Sequence, residues 1–84
     1  MSENAVEHAE NRLDSLSARE LTVLEMLSLG LTNSEMAERL AVTVHAVKFH
    51  LSSIYHKLGV TNRTEAAVVY LRDGLPAGSK GGGR

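Results

Sequence analysis

The chain has 84 residues, a formal net charge of −1 and no cysteine. That length suits one small domain, and the lack of thiols excludes disulfide staples and thiolate metal sites and points to a reducing compartment. No apolar run approaches the roughly 20 residues of a membrane helix and no basic-then-apolar leader opens the chain, so a cytoplasmic protein without a membrane partner is expected.

Residues 1–15 form an acidic extension with Glu3, Glu7, Glu10 and Asp14, in which Val6, Ala9 and Leu13 would share one side of a frayed helix. The foldable part runs over 16–75, and its helices can be read from their caps. Ser17 with Glu20 is a capping box, in which the serine oxygen accepts a free N–H and the glutamate reaches back. Leu16, just before the cap, is placed to staple it. The helix that follows puts Val23, Leu24 and Leu27 on one face and stops at Gly30. Thr32 and Glu35 repeat the box, and Met36, Ala37 and Leu40 supply the next buried stripe. Only Ala41 and Val42 then precede Thr43, which caps a longer helix ending at Gly59. Two helices joined by so tight a turn are the pattern of a helix-turn-helix, whose second helix enters the DNA major groove. Asn62 with Glu65 makes a third box, and the last helix runs to about Arg72 before Gly74 and Pro76. Residues 76–84, with Gly81-Gly82-Gly83, are read as a Gly-rich tail without order, in which Lys80 and Arg84 remain available to phosphate. No segment alternates as a strand does. The expected fold class is all-α, four helices with the third as recognition helix.

Charge is distributed unevenly. Eight acids against Arg12 and Arg19 leave −6 on residues 1–38, whereas 39–64 hold no acid and carry Arg39, Lys48, Lys57 and Arg63. A molecule so polarised presents a positive face to phosphate although its total charge is slightly negative. On the third helix Val47, Leu51, Ile54 and Leu58 keep the rhythm of a core face, which turns His45, Lys48, Phe49, Ser52 and His56 outward or to the flanks. An outward Phe49 beside Lys48 needs a partner: Lys48 suits a base edge or phosphate, Phe49 a thymine methyl or sugar, Ser52 and His56 shorter polar contacts. The competing reading packs Phe49 on a neighbouring helix and leaves Lys48 solvated.

The histidines do not make a metal site. His45, His50 and His56 fall five and six residues apart rather than on one face, and His50, beside the core stripe, reads as a packed, hydrogen-bonded histidine. The serines sit at caps or on surfaces and no Gly-rich loop leads into a helix, so neither an enzyme nor a cofactor site is expected. The last helix carries an unbroken apolar run from Ala66 to Leu71, more than one face of a small domain can bury. A two-fold homodimer through Ala67, Val68 and Leu71 would cover the remainder and set two reading helices on successive half-sites.

Together these blocks resemble one known family. Leu16-Ser17-Ala18-Arg19-Glu20, Val23-Leu24, Gly30-Leu31-Thr32-Asn33 and Glu35-Met36-Ala37 are similar to the LuxR-type (GerE-like) helix-turn-helix domain of bacterial transcription regulators. Val47-Lys48-Phe49-His50, Ile54, Lys57-Leu58-Gly59-Val60 and Arg63-Thr64-Glu65-Ala66 continue the likeness in register, over roughly 16–75. The resemblance implies a four-helix domain with the third helix in the major groove of double-stranded DNA and the fourth used for dimerisation. It carries base-reading and phosphate-contacting positions onto Lys48, Phe49 and Ser52 and a backbone contact onto Lys57. Thr32, Asn33 and Arg63 take positions suited to phosphate, and His50 falls on a structural histidine. At Ala46 a hydroxyl that the family often carries is missing, which leaves open either compensation by His45 or a different sequence preference. Ala18 stands where the family usually has proline, a small loss of helix-start rigidity. Residues 1–16 are too short for the receiver, ligand-binding or ATPase module that such regulators usually carry, so both a complete small regulator and an excised domain stay open. The expected function is a sequence-specific transcription regulator acting as a homodimer on a two-fold site, with RNA polymerase as a further candidate partner. Two alternatives remain: a sigma-factor region 4-like promoter module, and a protein-interaction module that kept the fold without DNA binding.

Overall fold

In the computed structural model the described residues are 12–74. The stretch containing Val6 and Ala9, and the Gly-rich tail, lie outside them. A 3-10 turn over Arg12–Ser15 leads into α1 (Ala18–Ser28), α2 (Asn33–Leu40), α3 (Val44–Leu58) and α4 (Arg63–Asp73). No strand occurs among the described residues, and the fold is all-α as expected.

Each start follows from its cap. The Ser17 amide donates to Glu20 Oε1 at 2.9 Å while the Glu20 amide donates to Ser17 Oγ at 3.1 Å. Thr32 and Glu35 exchange the same pair at 2.8 and 3.1 Å. Thr43 accepts from the Ala46 amide at 3.0 Å. The expected third box forms only in half. Asn62 accepts from the Glu65 amide at 2.9 Å, but Glu65 Oε1 turns to the amide and hydroxyl of Thr61, at 2.8 and 3.1 Å. Thr61 offers two donors to that oxygen where the Asn62 amide would offer one.

The helix ends repeat a single device. Gly30, Ala41 and Gly59 all take left-handed backbone, with φ of 94°, 58° and 71°. After each, an amide reaches back over five residues: Leu31 to Met26, Val42 to Ala37 and Val60 to Tyr55, at 3.2, 3.0 and 3.0 Å. Those same residues, Leu31, Val42 and Val60, pack half-buried against the core. This is the Schellman ending with its apolar anchor, which satisfies late carbonyls and fixes the exit of the chain. Ala41 adopts it without being glycine, at a steric cost of about 1–2 kcal/mol.

Val23, Leu24, Leu27, Met36, Ala37, Val47, Leu51, Ile54 and Leu58 are buried together with Ala66 and Val69 of α4, while Leu40 and Leu16 pack half-buried at the margin. α1 and α3 lie at the centre, α1 against α4 and α3, and α2 against α3. Each full Leu, Ile or Met burial is worth roughly 1.5–3 kcal/mol. Leu13 joins this core and Arg12 donates to the Leu58 carbonyl at 2.9 Å, so the folded unit takes in residues that the sequence pattern left in the acidic extension. No described helix is long and apolar enough to cross a membrane.

Candidate nucleic-acid interface

The α2–α3 connection is as short as its sequence demands. Left-handed Ala41 reverses the chain, Val42 anchors it and Thr43 caps the next helix. α3 therefore leaves the turn with its orientation fixed by the buried row Val47, Leu51, Ile54 and Leu58. His45, Lys48, Phe49, Ser52 and His56 are all exposed on the opposite side, and Phe49 keeps 70% of its surface open to solvent. The reading in which Phe49 packs on a neighbouring helix is thereby excluded. Its ring forms an edge-to-face pair with half-buried His50, with centroids 6.0 Å apart and planes at 65°. His50 makes no side-chain hydrogen bond among the described residues, contrary to the expectation of a hydrogen-bonded histidine, and pairs with the Phe49 ring instead.

Two of the expected phosphate ligands are engaged inside the domain. Lys57 Nζ donates to Glu20 Oε1 at 2.8 Å, and Ser53 Oγ donates to Glu20 Oε2 at 2.6 Å. Glu20, only 7% exposed, thus closes the cap of α1 and ties α1 to α3 at once. The Lys57 and Ser53 hydrogen bonds, joined by that from Ser17, hold its carboxyl far below the ordinary 4.5, at about 2, against the opposing effect of burial. Sequence reasoning saw Glu20 only as a capping residue, although Ser53 and Lys57, four apart, share one flank of α3.

Arg63 behaves in the same way. At the start of α4 its guanidinium donates to the Leu31 carbonyl and to Asn33 Oδ1, bracing the entry to α2. The side-chain oxygens of Thr32 and Asn33 accordingly accept from the Glu35 amide and from Arg63, which leaves the Thr32 hydroxyl proton and the Asn33 amide N–H groups as donors. Arg39, which the sequence reading counted only as charge, joins Lys48 as a cation of the acid-free segment that has no ion pair or side-chain hydrogen bond among the described residues, and both are exposed. Within the acid-free segment the unpaired positive charge is narrower than the sequence suggested and lies on α2 and α3, while Arg19 and Arg72 are exposed on α1 and α4 and unpaired among the described residues.

α4 turns Ala66 and Val69 into the core and leaves Val68 and Leu71 at 44% and 52% exposure. Ala67 is half-buried against the core rather than outward. A shallow cavity of about 340 Å³ between α4 and the exit of α3 is lined by Val60, Thr64, Val68 and Arg72 among others. No group of three or more potential metal ligands clusters among the described residues.

Four short capped helices with this turn match a known domain closely. A family model described as "Bacterial regulatory proteins, luxR family" matches residues 14–70. The chain belongs to this family. Its relatives include the transcriptional regulatory protein LnrK of Bacillus subtilis, 46% identical over 65 residues that make up 77% of this chain and 30% of LnrK. LiaR of the same organism is 42% identical over 73 residues, 87% of this chain and 32% of its own length. In Escherichia coli the putative HTH-type regulator YhjB is 46% identical over 57 residues, 68% of this chain and 28% of YhjB. The LuxR-family domain described here therefore spans about a third of the length of the curated relatives it matches.

Proposed function

We propose that the chain binds double-stranded DNA as a sequence-specific transcription regulator, with α3 in the major groove. Two copies bind a two-fold site, joined through Val68 and Leu71 on α4. The observation that carries this reading is the exposed, acid-free row of α3 set on a rigid two-residue turn, in a chain whose relatives are named as transcriptional regulators. Lys48, Phe49 and Ser52 meet base edges, with His45 and His56 at the ends of the row. Arg39, Lys48 and the amides opening α2 and α3 meet phosphate. Such a regulator works in the cytoplasm and requires no metal or cofactor, and RNA polymerase is its natural further partner.

With Arg39 and Lys48 the unpaired cations of the acid-free segment among the described residues, one subunit binds weakly and dimerisation supplies the useful affinity through effective concentration. The test is selection from a random duplex pool followed by titration at several salt concentrations. Enrichment of a palindrome is expected, with a log–log salt slope of about −4 if two cations per subunit act, against about −7 if Lys57 and Arg63 also release their partners. No binding at low salt would refute the proposal and return the protein-interaction reading. Binding that appears only with polymerase core would favour the sigma-like one.

A further inference from the structure

Apart from Lys57, which Glu20 holds, the exposed residues of α3 are Val44, His45, Lys48, Phe49, Ser52 and His56. This inventory is chemically narrow. Bidentate reading of guanine is done best by arginine, adenine is read by asparagine or glutamine, and cytosine is read by a carboxylate. None of these side chains stands on the exposed side of α3. Lys48 is one point donor, suited to a guanine O6 or N7, and Ser52 has short reach and accepts either hydrogen-bond sense.

The largest feature of the face is instead apolar. Phe49 is 70% exposed, and its ring lies in an edge-to-face arrangement with half-buried His50. In the major groove the thymine C5-methyl is the one apolar group that a base edge offers. A large exposed aromatic side chain on a face that carries single-point donors and acceptors but no bidentate reader is complementary to that methyl.

We infer that this domain selects its site chiefly through thymine methyl groups, with Phe49 as the reading residue and Lys48 adding a guanine contact beside it. The inference rests on the DNA-binding reading above and goes further by naming the atoms read. It implies half-sites in which a thymine next to a guanine tolerates no replacement, while the remaining positions are loosely specified.

The experiment uses the full 84-residue chain and the duplex enriched from the random pool. Each thymine is replaced in turn by deoxyuridine, which removes the methyl and preserves every hydrogen-bonding group. Loss of one buried methyl predicts about a four-fold weaker complex for each contacted thymine, and about fifteen-fold when both half-sites are changed. The Phe49→Ala variant, checked for an unchanged melting temperature, should bind more weakly and show no further loss with deoxyuridine. Undiminished affinity for every deoxyuridine duplex, with the enriched site still bound, would overturn the inference and leave the DNA-binding reading standing. Equal deoxyuridine losses in Phe49→Ala would overturn the assignment to Phe49. Absence of binding to any duplex would overturn both readings together.

Discussion

Glu20→Gln tests whether one buried carboxylate couples the start of α1 to the flank of α3. The native carboxyl is held at about 2 rather than 4.5, a difference that corresponds to roughly 3 kcal/mol of folding free energy. The Lys57 side chain that does most to hold the carboxylate charged is 37% exposed, so solvent screens part of its effect and about 2 kcal/mol is the expected loss. Because the folded-state value is depressed, this stability is fully present above the unfolded carboxyl's range. It drains away as pH falls from about 4.5 towards 2. The assay is urea unfolding followed by helical circular dichroism, for both proteins, at several pH values from about 7 downward. Near pH 7 the variant should be about 2 kcal/mol less stable, a drop of roughly 10 °C in melting temperature for a domain this small. By about pH 3 the gap should have fallen by more than half. A gap that stays constant with pH, or no gap at neutral pH, would refute the account.

Other substitutions probe the turn, the reading face and α4. Ala41→Gly should stabilise the domain by roughly 0.5–1 kcal/mol in the same unfolding assay, since glycine enters the left-handed region without strain and the extra unfolded-state entropy offsets only part of that gain. A loss of stability would show that the turn carries no strain. Lys48→Ala should cost roughly 1–3 kcal/mol of binding to the enriched site with stability unchanged. Lys57→Ala should lower stability first and DNA affinity little, and the reverse order, read by titration and unfolding together, would return Lys57 to the phosphate interface. Val68→Glu should shift sedimentation of a concentrated sample towards monomer and weaken binding to the palindrome much more than to a single half-site. An unaltered dimer would remove Val68 from the contact.

Local signals were legible in the sequence and through-space partners were not. Ser17, Thr32, Thr43 and Asn62 announce their helices because a short oxygen side chain before an apolar stripe has few other uses, and all four cap as read. Gly30 and Gly59 announce the ends for the same reason. Ala41 does not, because alanine gives no sign that it will enter left-handed backbone, and only the distance between two caps betrays the turn. Glu65 was misassigned by one residue because Thr61 competes with Asn62 for the same carboxylate. The partners of Lys57 and Arg63 lie 37 and 32 residues away along the chain, where no periodicity or spacing rule reaches. The five residues read as outward on α3 are all exposed, since a continuous buried stripe dictates what stands opposite it, whereas exposed Val44 at the helix start lay outside that reading.

The two-residue turn sets what kinds of change this domain can absorb. Adding one residue to α3 between Thr43 and Val47 would turn everything after it by about 100° relative to the cap, driving Phe49 and Lys48 away from the face they now share. An insertion at Ala41 or Val42 would detach the apolar anchor and release the strain that now holds the chain reversal. His45, Lys48, Phe49, Ser52 and His56, by contrast, are exposed and stand outside the buried core. Drift in a lineage of such chains should therefore proceed by replacement along the exposed row at constant length, with new target sites reached one side chain at a time.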